Sequence, residues 1–158
     1  MVRKIPEDAS EKRVIDNIAT YGWHCIGILA EDDLPGYSFT IGNYHTTGHP
    51  EFIIVGLATD VAHDLLHLAV TGTKDGTIAD LAAPTDAILE GYSCIFVEVP
   101  KAAYREHVGY ARWYYEGDDF PLYQIVWPSM GGQYSWDADA SAAYRARQPV
   151  LGTPPGRA

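Results

Sequence analysis

The chain has 158 residues, 47% hydrophobic and 20% charged, a balance that suits one folded domain and excludes general disorder. Eleven Lys and Arg against 21 Asp and Glu leave a net charge of −10, which repels phosphate backbones and anionic lipid, so neither nucleic acid nor membrane is an expected partner. An apolar run confined to residues 52–58, an N-terminus without a signal-type apolar core, and two cysteines outside any CxxC motif together predict a soluble, cytoplasmic domain.

In chain order, Asp8 and Glu11 form a capping signal for a helix from Ala9 to Tyr21, with Val14, Ile15, Ile18 and Tyr21 on its apolar face and Gly22 at its end. Trp23 to Leu29 reads as a strand. The polar turn through Glu31, Asp32, Asp33 and Pro35-Gly36 returns the chain as a second strand, Tyr37 to Ile41. Alternation puts Tyr37, Phe39 and Ile41 on one face and Ser38 and Thr40 on the other. Glycine and proline make residues 42–50 a loop, and a buried strand follows from Glu51 to Leu57.

Thr59 or Asp60 is placed to cap the next helix, whose face is Val61, Leu65, Leu68 and Ala69 and whose stop is Gly72. A short strand is expected at Thr77 to Leu81, then a connection through Pro84 and a strong strand from Tyr92 to Val99. Pro100 opens an aromatic-rich helix ending near Gly117. The last strand is Leu122 to Trp127, closed by Pro128. About six strands and three helices without regular βαβ alternation predict an α+β fold, a strongly bent antiparallel sheet or split β-barrel. Residues 1–151 form the expected single domain, and 152–158 a flexible tail.

The polar residues concentrate between Thr40 and Glu51. His45, His49 and Glu51 spell H-x3-H-x-E, two imidazoles and a carboxylate close enough in sequence to share a divalent metal or to pair a base with its orienting acid. Gly48 and Pro50 oppose the helix that an HExxH-type site needs, so the plain alternative is a turn whose side chains satisfy loop backbone. His63 and His67 stand four apart on a predicted helix, a spacing open to a metal pair and equally to a wet helix flank. Cys25 and Cys94 lie in apolar strands without an adjacent base, which fits small buried hydrophobes. G-x-S-x-G, Walker and G-x-G-x-x-G motifs do not occur. Gln124, in an otherwise apolar strand, needs a partner from protein or ligand, and Trp127, Tyr134 and Trp136 offer flat walls or a structural lid.

Five ordered motifs then carry a resemblance: Tyr21-Gly22-Trp23-His24, Phe39-Thr40-Ile41-Gly42, Gly48-His49-Pro50-Glu51, Phe120-Pro121 leading into Gln124-Ile125-Val126-Trp127-Pro128, and Trp136-Asp137 with Gln148-Pro149. In this order they resemble the bacterial "domain of unknown function 4262" family from about Ile15 to Leu151. That family implies no activity to transfer. The chain departs from its pattern at Ser129, where an acidic residue is usual, and at Tyr134-Ser135, where Phe-Pro is usual. The order of elements is also similar to the split-barrel flavin reductases, in which the inter-strand loop and following helix hold a flavin phosphate. Here Asp60 opposes a phosphate, and no Lys or Arg lies between Arg13 and Lys74.

Two functions follow as expectations. One is a small-molecule pocket, enzymatic or not, where the His45–Glu51 turn meets the Gln124–Trp136 stretch, with Thr40, Asn43, Gln124, Trp127 and Trp136 as ligand contacts and flavin or a divalent metal as the open cofactor choices. The other is an acidic interaction module of the antitoxin or immunity type, which takes a basic partner protein.

Overall fold

The computed structural model describes residues 2–155, and the last three residues of the expected tail lie outside them. Helix α1 (Ala9–Tyr21) begins where Asp8 accepts the Glu11 amide at 2.8 Å and ends at Gly22, as its signals predict. Strands β1 (His24–Ile28) and β2 (Tyr37–Ile41) form the expected antiparallel hairpin. Residues 43–47 are not loop but a short helix, α2 (Asn43–Thr47), which fits between two glycines in the left-handed region, Gly42 and Gly48. Strand β3 (Glu51–Val55) follows, every residue buried.

Helix α3 (Thr59–Asp75) differs from expectation at both ends. Its N-cap is Ala58, without a side-chain cap, and it runs through Gly72 to Gly76. Gly72 stays helical because Ile78 packs against it and fills the space a side chain would take. No strand forms at residues 77–81; β4 (Thr85–Leu89) lies after Pro84 and pairs with β5 (Tyr92–Glu98). The single helix expected after Pro100 is broken into a 3-10 turn, α4 (Tyr104–His107) and α5 (Gly109–Tyr115), with β-branched Val108 at non-helical angles (φ −123°, ψ 50°) before Gly109. Strand β6 (Leu122–Val126) precedes a helix not anticipated from the sequence, α6 (Ala142–Arg147), capped by Ser141.

Among the described residues six strands lie in the order β1-β2-β3-β6-β5-β4. The expected α+β character holds, but the sheet is mixed and open: β3 and β6 are parallel, and β1 and β4 are its two edges, so it does not close into a barrel. The parallel pair is central, which explains why β3 is buried on both faces. One face carries Val14, Ile18, Phe39, Ile53, Tyr104 and Phe120 under α1, α4 and α5. The other carries Phe52, Ile54, Leu66, Ile125, Trp127 and Tyr144 under α3 and α6. No helix among the described residues is long and apolar enough to cross a membrane.

Candidate functional site

The H-x3-H-x-E residues do not form a metal centre. Glu51 is fully buried, and its carboxylate accepts from Thr40 Oγ1 at 2.6 Å, the amides of Gly42 (3.0 Å), Asn43 (3.2 Å) and Tyr44 (3.2 Å), and the Tyr115 hydroxyl. It thus serves as an internal acceptor at the start of α2, where otherwise orphaned amides converge. Burial pushes its pKa up, against the pull of these donors, and burial together with the Glu51 carboxylate pushes up the Tyr115 phenol. Thr40 and Asn43, expected to touch a ligand, belong to this nest; Asn43 Nδ2 also donates to Pro50 O at 2.9 Å. His45 is exposed, with its ring edge-on to Tyr114 and its amide donating to Tyr115, and His49 is only half-buried. Among the described residues no three His, Cys, Asp or Glu side chains assemble to hold a metal ion.

The second half of the expected pocket is occupied by the chain itself. Gln124, fully buried, donates to Pro149 O (2.9 Å) and accepts from Leu151 N–H (2.8 Å), clamping the segment after α6. Trp127 donates its indole N–H to Val55 O (2.8 Å) and takes Gln148 Oε1 on its amide (3.0 Å), while Arg147 lies over its ring. Trp136 stacks on Tyr134 at 5.2 Å. The two regions also lie apart. Glu51 sits beside Leu122 at the start of the parallel pair and Val55 beside Trp127 at its finish, a run of roughly 13 Å along the strands. They do not enclose one hollow.

A different hollow is present at the β1 edge. Asn17 and Tyr21 of α1, Trp23, His24 and Cys25 along β1, and His63 and His67 of α3 line a cleft of about 450 Å³. Alternation along β1 builds it: Ile26 goes to the α1 face of the sheet and Cys25 and Trp23 to the α3 face, so the cleft wraps the strand and has a helix on either side. Helical spacing of four puts His63 and His67 on one side of α3, and the Trp23 indole lies nearly parallel to both, at 5.6 Å and 22° and at 6.2 Å and 28°.

Asn17 Nδ2 contacts His24 Nδ1 at 2.9 Å. An amide NH2 can only donate there, so the ring proton sits on Nε2 and Nε2–H is the group left for a ligand. Burial, then the charge of Arg13, lowers the His24 pKa and keeps the ring neutral. Burial pushes the Cys25 thiol up to about 11, so it is neither a ready nucleophile nor a ready metal ligand. The chemistry on offer is stacking and hydrogen bonding.

His63 and His67 are visible as a pair in the sequence, without their partner Trp23; Tyr21, Trp23 and His24 are adjacent there but nothing in their spacing marks a site. The signal was a tryptophan and a histidine opening a half-apolar strand, next to a helix whose face includes Asn17.

The fold and site therefore define an α+β protein with a mixed open sheet and a stacking cleft at one free edge. A family model described as a domain of unknown function, DUF4262, matches residues 17–141, and the chain belongs to that family. The match spans the cleft, from Asn17 through His67. No curated protein and no solved structure matches the chain. The flavin analogy loses its basis in the open sheet.

Proposed function

We propose that this chain is a cytoplasmic binding protein whose ligand seats a flat, π-bearing group in the cleft at the edge of β1. The observation that carries the reading is the Trp23 indole held nearly parallel to His63 and His67 beside a cleft of about 450 Å³, a volume suited to a group of one or two rings. Tryptophan is the strongest of the aromatic platforms, and a planar cation gains further from its face. His24 Nε2–H supplies a fixed donor for orientation. Two free cysteines, Cys25 and Cys94, suit a reducing compartment.

The test is a titration with indole, benzoate and benzamidine, followed through the ring resonances of Trp23, His63 and His67. At least one probe binds, and Trp23→Leu, which keeps an apolar filler in a half-buried position, weakens it tenfold or more. His63→Ala weakens it less, and Trp136→Leu leaves it unchanged. Equal binding by Trp23→Leu and the parent chain would refute the assignment.

A further inference from the structure

The floor of the cleft is a strand edge, and the sheet pairing tells which backbone groups it exposes. Across β2 and β3, Gly56 N–H donates to Gly36 O at 2.8 Å. Backbone groups alternate sides along a strand, so residues 36, 38 and 40 address β3, while Tyr37, Phe39 and Ile41 turn to β1. The register pairs those three with Ile28, Ile26 and His24. Cys25 and Gly27 must then direct their N–H and C=O outward, away from β2. Among the described residues, neither has a hydrogen-bond partner on that side.

The flanks suit an extended chain. Thr59, His63 and His67 follow one another at helical spacing along α3, with Thr59 directly over Gly27 and the histidines over Trp23. A side chain at Gly27 would come within 2.7 Å of Thr59 Cγ2, so the glycine keeps the helix close to the strand. Asn17 and Tyr21 of α1 form the opposite flank, and past Gly27 the floor continues to exposed Ile28 and Leu29. The surroundings are predominantly acidic: Asp60 and Asp64 are exposed on α3 and Glu31, Asp32 and Asp33 on the β1–β2 turn, against two cations, Arg13 of α1, whose charge reaches His24, and Arg147 beside Gly56.

We infer that the ligand of this cleft is an extended, basic polypeptide segment that adds to β1 as a further strand. Its backbone pairs with Cys25 and Gly27, and one of its side chains lies against the Trp23 stack. Main-chain pairing supplies affinity in such strand addition, and the flanking side chains supply selectivity. The charge decides the occupant: a second copy of this chain carries −10 as well, whereas a basic segment is attracted. The inference rests on the cleft being a binding site and adds the chemical class of what binds.

The experiment is amide hydrogen exchange on the ¹⁵N-labelled full chain with four capped hexapeptide probes: alternating Lys and Val, alternating Glu and Val, and two forms of the Lys-Val peptide, each N-methylated at one of the two alternate sets of amides. The Lys-Val peptide slows exchange at Cys25 and Gly27 tenfold or more. The Glu-Val peptide and at least one N-methylated form do not. Unchanged exchange with the Lys-Val peptide overturns the inference, as does equal slowing by every N-methylated form. Protection of these amides in the free chain that rises with protein concentration assigns the edge to a second copy and also overturns it. If indole, benzoate or benzamidine still engages Trp23 while the Lys-Val peptide has no effect, the small-ligand cleft stands and the peptide class falls. If nothing engages Trp23, both fall.

Discussion

Glu51 shows how a residue type that usually signals chemistry is absorbed by architecture. Oε1 accepts from Thr40 and Asn43, and Oε2 from Gly42, Tyr44 and Tyr115. Each oxygen faces at least one backbone N–H that cannot rotate away. Glu51→Gln places an amide NH2 against such a donor in either orientation, and a destabilisation of about 1–3 kcal/mol in urea unfolding is expected. The pH dependence is a separate signature. Because burial raises the folded pKa of Glu51, the folded chain keeps this proton where the unfolded chain, near the ordinary 4.5, has lost it. The associated stability is fully present below that value and disappears as pH rises through the raised one. The advantage of the parent over Glu51→Gln therefore shrinks as pH rises above the ordinary carboxylate value of 4.5. An advantage that grows with pH would show the carboxylate to be stabilised by its donors more than it is penalised by burial. From sequence, the carboxylate after Pro50 and the polar stretch from Thr40 that supplies four of its donors are visible; the fifth, Tyr115, is not, because it lies 64 residues away.

At the scale of elements, legibility followed locality. The ends of α1 could be read because Asp8, Glu11 and Gly22 act within a few residues of one another. The facing of β2 could be read because alternation is intrinsic to a strand. Helix α2 could not: five residues between glycines carry too little periodicity, and the carboxyl group that collects its first amides comes from the next strand. Its two flanking glycines make a paired test. Gly48 (φ +81°) has no neighbour within 4 Å of a built side chain, so Gly48→Ala costs only the left-handed conformation, about 1–2 kcal/mol. Gly42 (φ +94°) would drive a methyl to 2.7 Å from Ile18 Cγ1, and Gly42→Ala adds about 1–3 kcal/mol of overpacking. Equal losses in the urea midpoint would mean that Ile18 yields freely.

For the whole molecule, the decisive feature is the one local pattern cannot encode, the parallel seating of β6 beside β3. It opens the sheet into edges, sends the His45–Glu51 turn and Trp127 to opposite ends, and leaves Gln124 and Gln148 to tie down the C-terminal segment. The expected hollow is thereby replaced by one at β1, on a stretch of chain without a single Lys or Arg from residue 14 to residue 73. The most direct measurement is a set of intermolecular NOEs from the tightest-binding probe of the titration series to side chains of the full chain. The account predicts contacts with Trp23, His63 and His67. Contacts with His45, His49 or Trp136 instead would return the site to the far ends of the parallel pair and contradict it.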